Sequence, residues 1–282
     1  MDLGLKERVV WITGASGGIG RALAETFAAE GARLGLHGHR SLDGLRAWAA
    51  AQPWSERAEV LAGDLADAAE AERAAARLLE RFGRIDVAVA NAGRWPAEHR
   101  ELHELDPDRL RRTLDDNLFS ALFTARAFLA ALRRTGPRVD GDGAALVLVG
   151  STAGRFGERG HCDYAVAKAA LVGAVKTLKN EIVRLDPYGR VNMVEPGWTV
   201  THVERPALSN PGQIERVART MALRQLARGA DVARAVAWLA SPRAAAHVTG
   251  EILTVAGGME GRLLWNENEV ERGPIIERLR RE

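Results

Sequence analysis

Val9-Val10-Trp11-Ile12-Thr13-Gly14-Ala15-Ser16-Gly17-Gly18-Ile19-Gly20 is the stretch whose reading decides the fold. A short apolar strand runs straight into a glycine-rich turn, and a helical pattern follows until about Gly31. Glycines let a backbone approach a pyrophosphate closely, and a helix N-terminus offers it unbonded N–H groups and a partial positive charge. Strand, glycine turn and helix in that order predict an α/β chain whose parallel sheet binds a dinucleotide. Gly14, Ser16, Gly18, Ile19 and Gly20 are the candidate residues for that contact.

Working outward, Arg33 to His37 forms a second strand that ends in Gly38-His39-Arg40-Ser41. An acidic residue at this place would accept from the ribose 2′-hydroxyl of NAD. None is present, and His39, Arg40 and Ser41 leave room and positive charge for a 2′-phosphate, which points to NADP. A third strand, Ala58 to Ala62, ends in Gly63-Asp64-Leu65, where Asp64 is a candidate acceptor for an adenine amino group and Leu65 a cover for the ring. A fourth, Ile85 to Ala90, ends in Asn91-Ala92-Gly93. Small and polar clusters thus gather at the C-terminal edge, where open parallel sheets bind ligands. Further strands at 144–149, 190–194 and 251–255 complete a doubly wound Rossmann-type sheet of about seven strands. The sixth ends in Pro196-Gly197, with Thr199 a candidate holder of a carboxamide.

The chemistry is concentrated between Ser151 and Lys168. Tyr164 and Lys168 lie one helical turn apart, with about 6 Å between their Cβ atoms. Phenolate near pH 7 requires a drop of about three units from the ordinary phenol pKa, or about 4 kcal/mol. A unit charge roughly 4 Å away at an effective dielectric of about 20 is sufficient for that. The chain holds only four lysines among 39 basic residues, so an ammonium at this place stands out against an arginine background. Asn117 sits within an apolar helical stretch from about 107 to 134; it bonds neighbouring backbone and distorts the helix, holds a water, or is an amide satisfied by the core. His99 and His103 have helical spacing but no metalloprotease pattern between them, and no metal is expected.

Composition narrows the function classes. With 282 residues and 46% hydrophobic content the chain buries a large core, and its regular alternation suggests one domain. The 39 basic and 37 acidic residues are interspersed, which gives a nucleic-acid role no support. No apolar run approaches 18 residues, the N-terminus has no leader pattern, and the single cysteine, Cys162, suits a reducing compartment, so a cytoplasmic protein without membrane association is expected.

Together these residues resemble the classical short-chain dehydrogenase/reductase family over about residues 5–260. Thr13-Gly14-x-x-x-Gly18-x-Gly20, Asp64, Asn91-Ala92-Gly93, Asn117, Ser151, Tyr164-x-x-x-Lys168 and Pro196-Gly197 fall in that family's order and approximate intervals. The resemblance implies a sheet of order 3-2-1-4-5-6-7 and a catalytic set of Asn117, Ser151, Tyr164 and Lys168. In it Tyr164 is the general acid/base, Ser151 steadies the reacting oxygen, Lys168 lowers the phenol pKa and holds the nicotinamide ribose, and Asn117 positions a relay water. It implies a 1–260 catalytic domain and a 261–282 extension for which no motif is found, and the weak periodicity of about 200–225, with Pro206, Pro211 and Gly212, is that expected of a substrate lid. One departure is Gly17, where many NADP-using relatives carry Arg or Lys, so the NADP reading rests on residues 38–41.

The expected activity is NADP(H)-dependent interconversion of a carbonyl and a secondary alcohol, similar to a 3-oxoacyl-carrier-protein reductase. A NAD-using sugar, polyol or small-alcohol dehydrogenase is the alternative, and a non-catalytic dinucleotide-binding scaffold a weaker one. Trp95, Phe156, His161 and Trp198 suggest aromatic pocket walls. The helices at 107–134 and 161–185 are apolar on two sides and need a second partner; with the family resemblance, which implies dimers or tetramers through these helices, a homotetramer is expected, or failing that a dimer, with the tail around Trp265 packed across a neighbouring subunit.

Overall fold

The structure is a computed structural model that describes residues 1–201, 211–266 and 269–279. Seven parallel strands form one sheet: β1 (Val9–Ile12), β2 (Arg33–Gly38), β3 (Ala58–Ala62), β4 (Val87–Ala90), β5 (Ala145–Val149), β6 (Arg190–Pro196) and β7 (Ile252–Val255). Their order across the sheet is β3-β2-β1-β4-β5-β6-β7, as the resemblance implied. β1 pairs with β2 on one side and with β4 on the other. The chain reverses its winding between β1 and β4, and the ligand crevice of such a sheet opens there.

The interior strands are apolar runs because both faces of the sheet are covered. Val10, Ile12, Val89 and Val147 turn to one face, where they meet Leu23 and Phe27 of α1 (Gly18–Ala29) and Val236 of α9 (Gly229–Ala240). Trp11, Ala88, Leu146 and Leu148 turn to the other. There they meet Leu78 of α3 (Ala68–Phe82), Phe128 of α5 (Ser120–Thr135) and Leu171 of α7 (Cys162–Ile182). The remaining helices are α2 (Leu42–Ala50), α4 (Pro107–Leu114), α6 (Thr152–Phe156), α8 (Pro211–Ala218) and α10 (Arg272–Leu279). Residue types set the helix ends: Asp67 caps α3 by accepting from Ala69 N–H at 2.8 Å, and Gly83 ends it at φ 82°. The buried Arg190 guanidinium closes the C-terminal end of α9, donating to the carbonyls of Leu239 and Ala240 at 2.5 and 3.0 Å.

Several expectations shift. β4 begins at Val87 rather than Ile85, and the Asp86 carboxylate just before it accepts from Val9 N–H at 2.9 Å. The helical region of 107–134 holds a π turn at Asp115–Phe119, where Ser120 N–H reaches back five residues to Asp115 O. Asn117 lies inside that turn, in line with the distortion expected of it. Between α6 and α7 the helix is interrupted by Gly157 and Gly160, at φ 74° each. His99 and His103 do not share a helix, as only Leu102–Glu104 forms a single 3-10 turn there. Part of the expected lid, residues 202–210, lies outside the described residues.

Candidate active site

The glycine turn is built for close approach. Gly14 sits at φ 65°, and a Cβ there would stand 2.8 Å from Ala92 Cα. A Cβ on Gly20 would meet Gly14 O at 2.2 Å, so only glycine lets α1 start this near the turn. No side chain caps α1, and its first turn holds no acidic residue. Its positive end opens on a cavity of about 1600 Å³ that Gly14, Ser16, Gly18, Ile19 and Gly20 line. An uncapped helix start against a glycine cradle fits a pyrophosphate.

Two buried side chains hold this edge together: Thr13, which opens the glycine motif, and His37, to which the sequence assigns no role. Thr13 Oγ1 accepts from the N–H groups of Asn91 and Ala92, both at 3.0 Å, and donates to Val89 O at 3.2 Å. The Asn91 amide donates back to Thr13 O and Gly14 O at 2.9 and 3.3 Å, so this predicted cofactor residue also locks β4 to the glycine turn. His37, at the end of β2, reaches Gly63 O through Nε2 at 3.0 Å and accepts from Gly14 N–H through Nδ1 in a long 3.5 Å contact. Burial pushes its pKa down to about 4, so the ring is neutral and bridges the turns after β1 and β3.

Deeper in the same cavity, β5, α6, α7 and the π turn bring together Ser151, Tyr164, Lys168 and Asn117. Ser151 caps α6, its Oγ accepting from Ala153 N–H at 3.1 Å, which leaves its own proton to donate. Asn117 is fully buried and its amide is engaged: Oδ1 accepts from Arg94 N–H at 3.0 Å, and Nδ2 donates to Arg94 O and Thr113 O at 2.9 and 3.1 Å. The side chain anchors the loop after β4. Lys168 is buried, with Nζ donating to Val149 O at 3.0 Å and lying 5.7 Å from the Tyr164 ring centre. Desolvation lowers its pKa to about 8, and the ammonium stays mostly charged at neutral pH. It fits a ribose hydroxyl as an acceptor for its remaining protons.

The start of α7 is held rigidly. Asp163, fully buried beside Tyr164, accepts from Arg109 Nε at 3.0 Å and Thr113 Oγ1 at 2.9 Å. Trp95 sets its edge on the Tyr164 ring, 4.8 Å between centres at 74°, and stacks on His161 at 4.0 Å. Trp95, Phe156 and Trp198 are cavity walls as expected, while His161 backs Trp95 with its Nε2 on Pro96 O at 3.1 Å. Among the described residues no group of three or more His, Cys, Asp or Glu could hold a metal ion.

Gly93, Pro196, Gly197 and Thr199 also line the cavity, but the Thr199 hydroxyl donates to Gly197 O at 3.0 Å and is largely buried. Thr201, which the sequence reading passed over, instead presses on the turn: a Cβ on Gly18 would meet its Cβ at 2.1 Å. His39, Arg40, Ser41, Asp64, Leu65 and Ala92 do not line the cavity. Asp64 Oδ1 accepts from Ala66 N–H at 3.0 Å and lies 3.9 Å from His39 Nδ1, and Arg40 faces Asp116 at 3.5 Å. From the tail, Arg262, Leu263, Leu264 and Trp265 line the chain's own cavity.

This fold and site define a nicotinamide-dinucleotide oxidoreductase on a doubly wound sheet. A family model described as enoyl-(acyl carrier protein) reductase matches residues 14–260. The 3-oxoacyl-[acyl-carrier-protein] reductase of Escherichia coli (strain K12) is 34% identical over 254 residues, 89% of this chain and 97% of the relative. An L-rhamnose 1-dehydrogenase (NAD(P)(+)) of Azotobacter vinelandii is 33% identical over 261 residues, 90% and 97% of the two chains. A crystal structure described as a short-chain dehydrogenase/reductase, glucose/ribitol dehydrogenase, from Brucella melitensis superposes with a TM-score of 0.81 at 32% identity, covering 92% of this chain and 98% of that one. The chain belongs to the short-chain dehydrogenase/reductase family, oxidoreductases that act on CH–OH or carbonyl groups with a nicotinamide dinucleotide. No helix among the described residues is long and apolar enough to cross a membrane.

Proposed function

We propose that this enzyme interconverts a ketone and a secondary alcohol with NADP(H), using Asn117, Ser151, Tyr164 and Lys168. The observation that carries the reading is the meeting of Ser151, Tyr164 and Lys168 with the glycine turn in one cavity. When bound, the dinucleotide supplies a ring that gives or takes hydride. Tyr164 holds or delivers the proton at the reacting oxygen, and Ser151, whose oxygen already accepts from Ala153, donates its proton to that oxygen. Lys168 favours the phenolate through its charge and offers donors to the ribose. Asn117 keeps the loop after β4 in place through Arg94.

The 2′-phosphate of NADP would meet His39, Arg40 and Ser41. Arg40 supports this because its side chain is 56% exposed and its 3.5 Å pairing with Asp116 is an exposed bridge, about 0–1 kcal/mol to replace. Residues 1–260 would form the catalytic domain and 261–282 an extension, in a cytoplasmic homo-oligomer.

For the substrate, the 3-oxoacyl reading drawn from the sequence stands beside a sugar or polyol reading. The cavity walls favour the second, since Glu101, Arg159, Glu158, Arg262, Gln213 and Thr220 set polar groups among the aromatic faces. Titration with NADPH and NADH, then an activity screen over 3-oxoacyl thioesters, sugars and polyols, tests the proposal. Equal or reversed cofactor affinities would remove NADP from it.

A further inference from the structure

The chain beyond the matched residues supplies part of the wall of the catalytic cavity. Arg262 stands two positions past the end of the family match at 260. Its Nη2 donates at 3.1 Å to Oγ1 of Thr152, the residue after Ser151. Its Nε donates to Glu158 Oε2 at 2.7 Å, and its guanidinium carbon lies 5.7 Å from the Phe156 ring centre. Nη1 faces the Met259 sulfur, a weak acceptor, at 2.6 Å. Arg216 of α8, another residue of the cavity wall, holds the segment, donating to Leu263 O at 2.6 Å and Asn266 Oδ1 at 2.8 Å. Both Arg262 and Glu158 line the catalytic cavity, with side chains 19% and 33% exposed.

This pair carries no net charge, yet it presents guanidinium donors next to carboxylate lone pairs. A hydroxyl both donates and accepts, so it matches the two together. A carboxylate on the substrate would meet Glu158 as a like charge, and an alkyl group would leave the pair's polar atoms unmatched. A site built to bond a hydroxyl rejects the analogue that lacks it far more strongly than an apolar site rejects a methylene. The geometry points to Arg262, set by Glu158, as a specificity-determining residue: we propose that it selects substrates with a neutral hydroxyl close to the reacting carbon. The proposal rests on Ser151 and Tyr164 marking the reacting centre.

Steady-state kinetics of the full-length enzyme with NADP⁺ on 2-butanol, 2,3-butanediol and 3-hydroxybutanoate separate the possibilities. Wild type favours the diol over 2-butanol by about tenfold or more in kcat/KM. Arg262→Met keeps an apolar stem over Phe156 and removes the donors. It lowers kcat/KM for the diol about tenfold, chiefly through KM, and leaves 2-butanol within about twofold. Glu158→Gln unpairs the guanidinium charge and raises kcat/KM for 3-hydroxybutanoate several-fold. Equal losses on all three substrates in Arg262→Met would reduce the segment to a structural strap and overturn the proposal. So would a wild type without preference for the diol, or no gain for the carboxylate in Glu158→Gln. A wild type that turns over none of the three, nor any ketone or alcohol in the wider screen, overturns the reading of the centre, and this proposal falls with it.

Discussion

The Lys168 ammonium lies 5.7 Å from the centre of the Tyr164 ring while donating to Val149 O at 3.0 Å, so one buried cation serves both the phenol and the floor of the cavity. Desolvation alone lowers its pKa, to about 8, and no carboxylate opposes that effect. In the free enzyme the ammonium is therefore present below pH 8 and lost above it. NADPH affinity should fall about tenfold between pH 7 and 9, the change in ammonium fraction across that window. Lys168→Met should bind weakly with a flatter profile, measured by fluorescence titration. A wild-type affinity constant from pH 7 to 9 would contradict the role given to the charge.

His37 yields a stability prediction. Its pKa falls from 6.5 to about 4 because burial disfavours the imidazolium. The unfolded chain then binds more protons than the native one between those values, so stability drops as pH falls from 6.5 and the loss is complete below 4. Its full size is of the order of 3 kcal/mol. Urea unfolding of wild type and His37→Gln at pH 5 and 7 should show a smaller pH effect in the variant. Parallel losses would place the proton uptake elsewhere.

Assembly follows from what α7 leaves uncovered. Val166 is 53% exposed, Ala170 and Gly173 are exposed too, and a Cβ on Gly173 would meet nothing within 4 Å. Small residues on an outward face allow a second helix to approach closely. Light scattering at micromolar concentration should report a tetramer, or failing that a dimer, and Gly173→Arg should lower the mass. A monomeric wild type would refute the assembly. Truncation after Gly261 should change mass or stability, and if it changes neither, the tail has no part in assembly.

The residues legible in the sequence are those whose meaning is local. The glycine turn between β1 and α1 needs only a strand and a helix on either side, and Tyr164 and Lys168 meet because four residues make about one helical turn. What escaped is long-range. Thr13 opens the glycine motif and His37 reads as a strand histidine, but what each holds appears only when β4 and the turn after β3 are brought beside them. Arg262 reaches Thr152 across 110 positions, which no spacing rule links. For Asn117 the sequence leaves a distorted helix, a held water and a core-satisfied amide open, because the partner it holds, the Arg94 backbone, lies 23 residues earlier in the loop after β4. His39 to Ser41 point to a 2′-phosphate from their place after β2, while Asp64 beside His39 and Asp116 beside Arg40 emerge only with the fold.

Tyr164→Phe tests the central claim most directly, because it removes one oxygen and leaves the ring against Trp95 and Lys168. Turnover of a substrate from the screen should fall by about 10²–10⁴, the usual contribution of a positioned general acid/base, while NADPH binding by direct titration stays within about twofold. A variant that keeps more than about a tenth of the wild-type kcat would contradict the assignment and move the proton to another group.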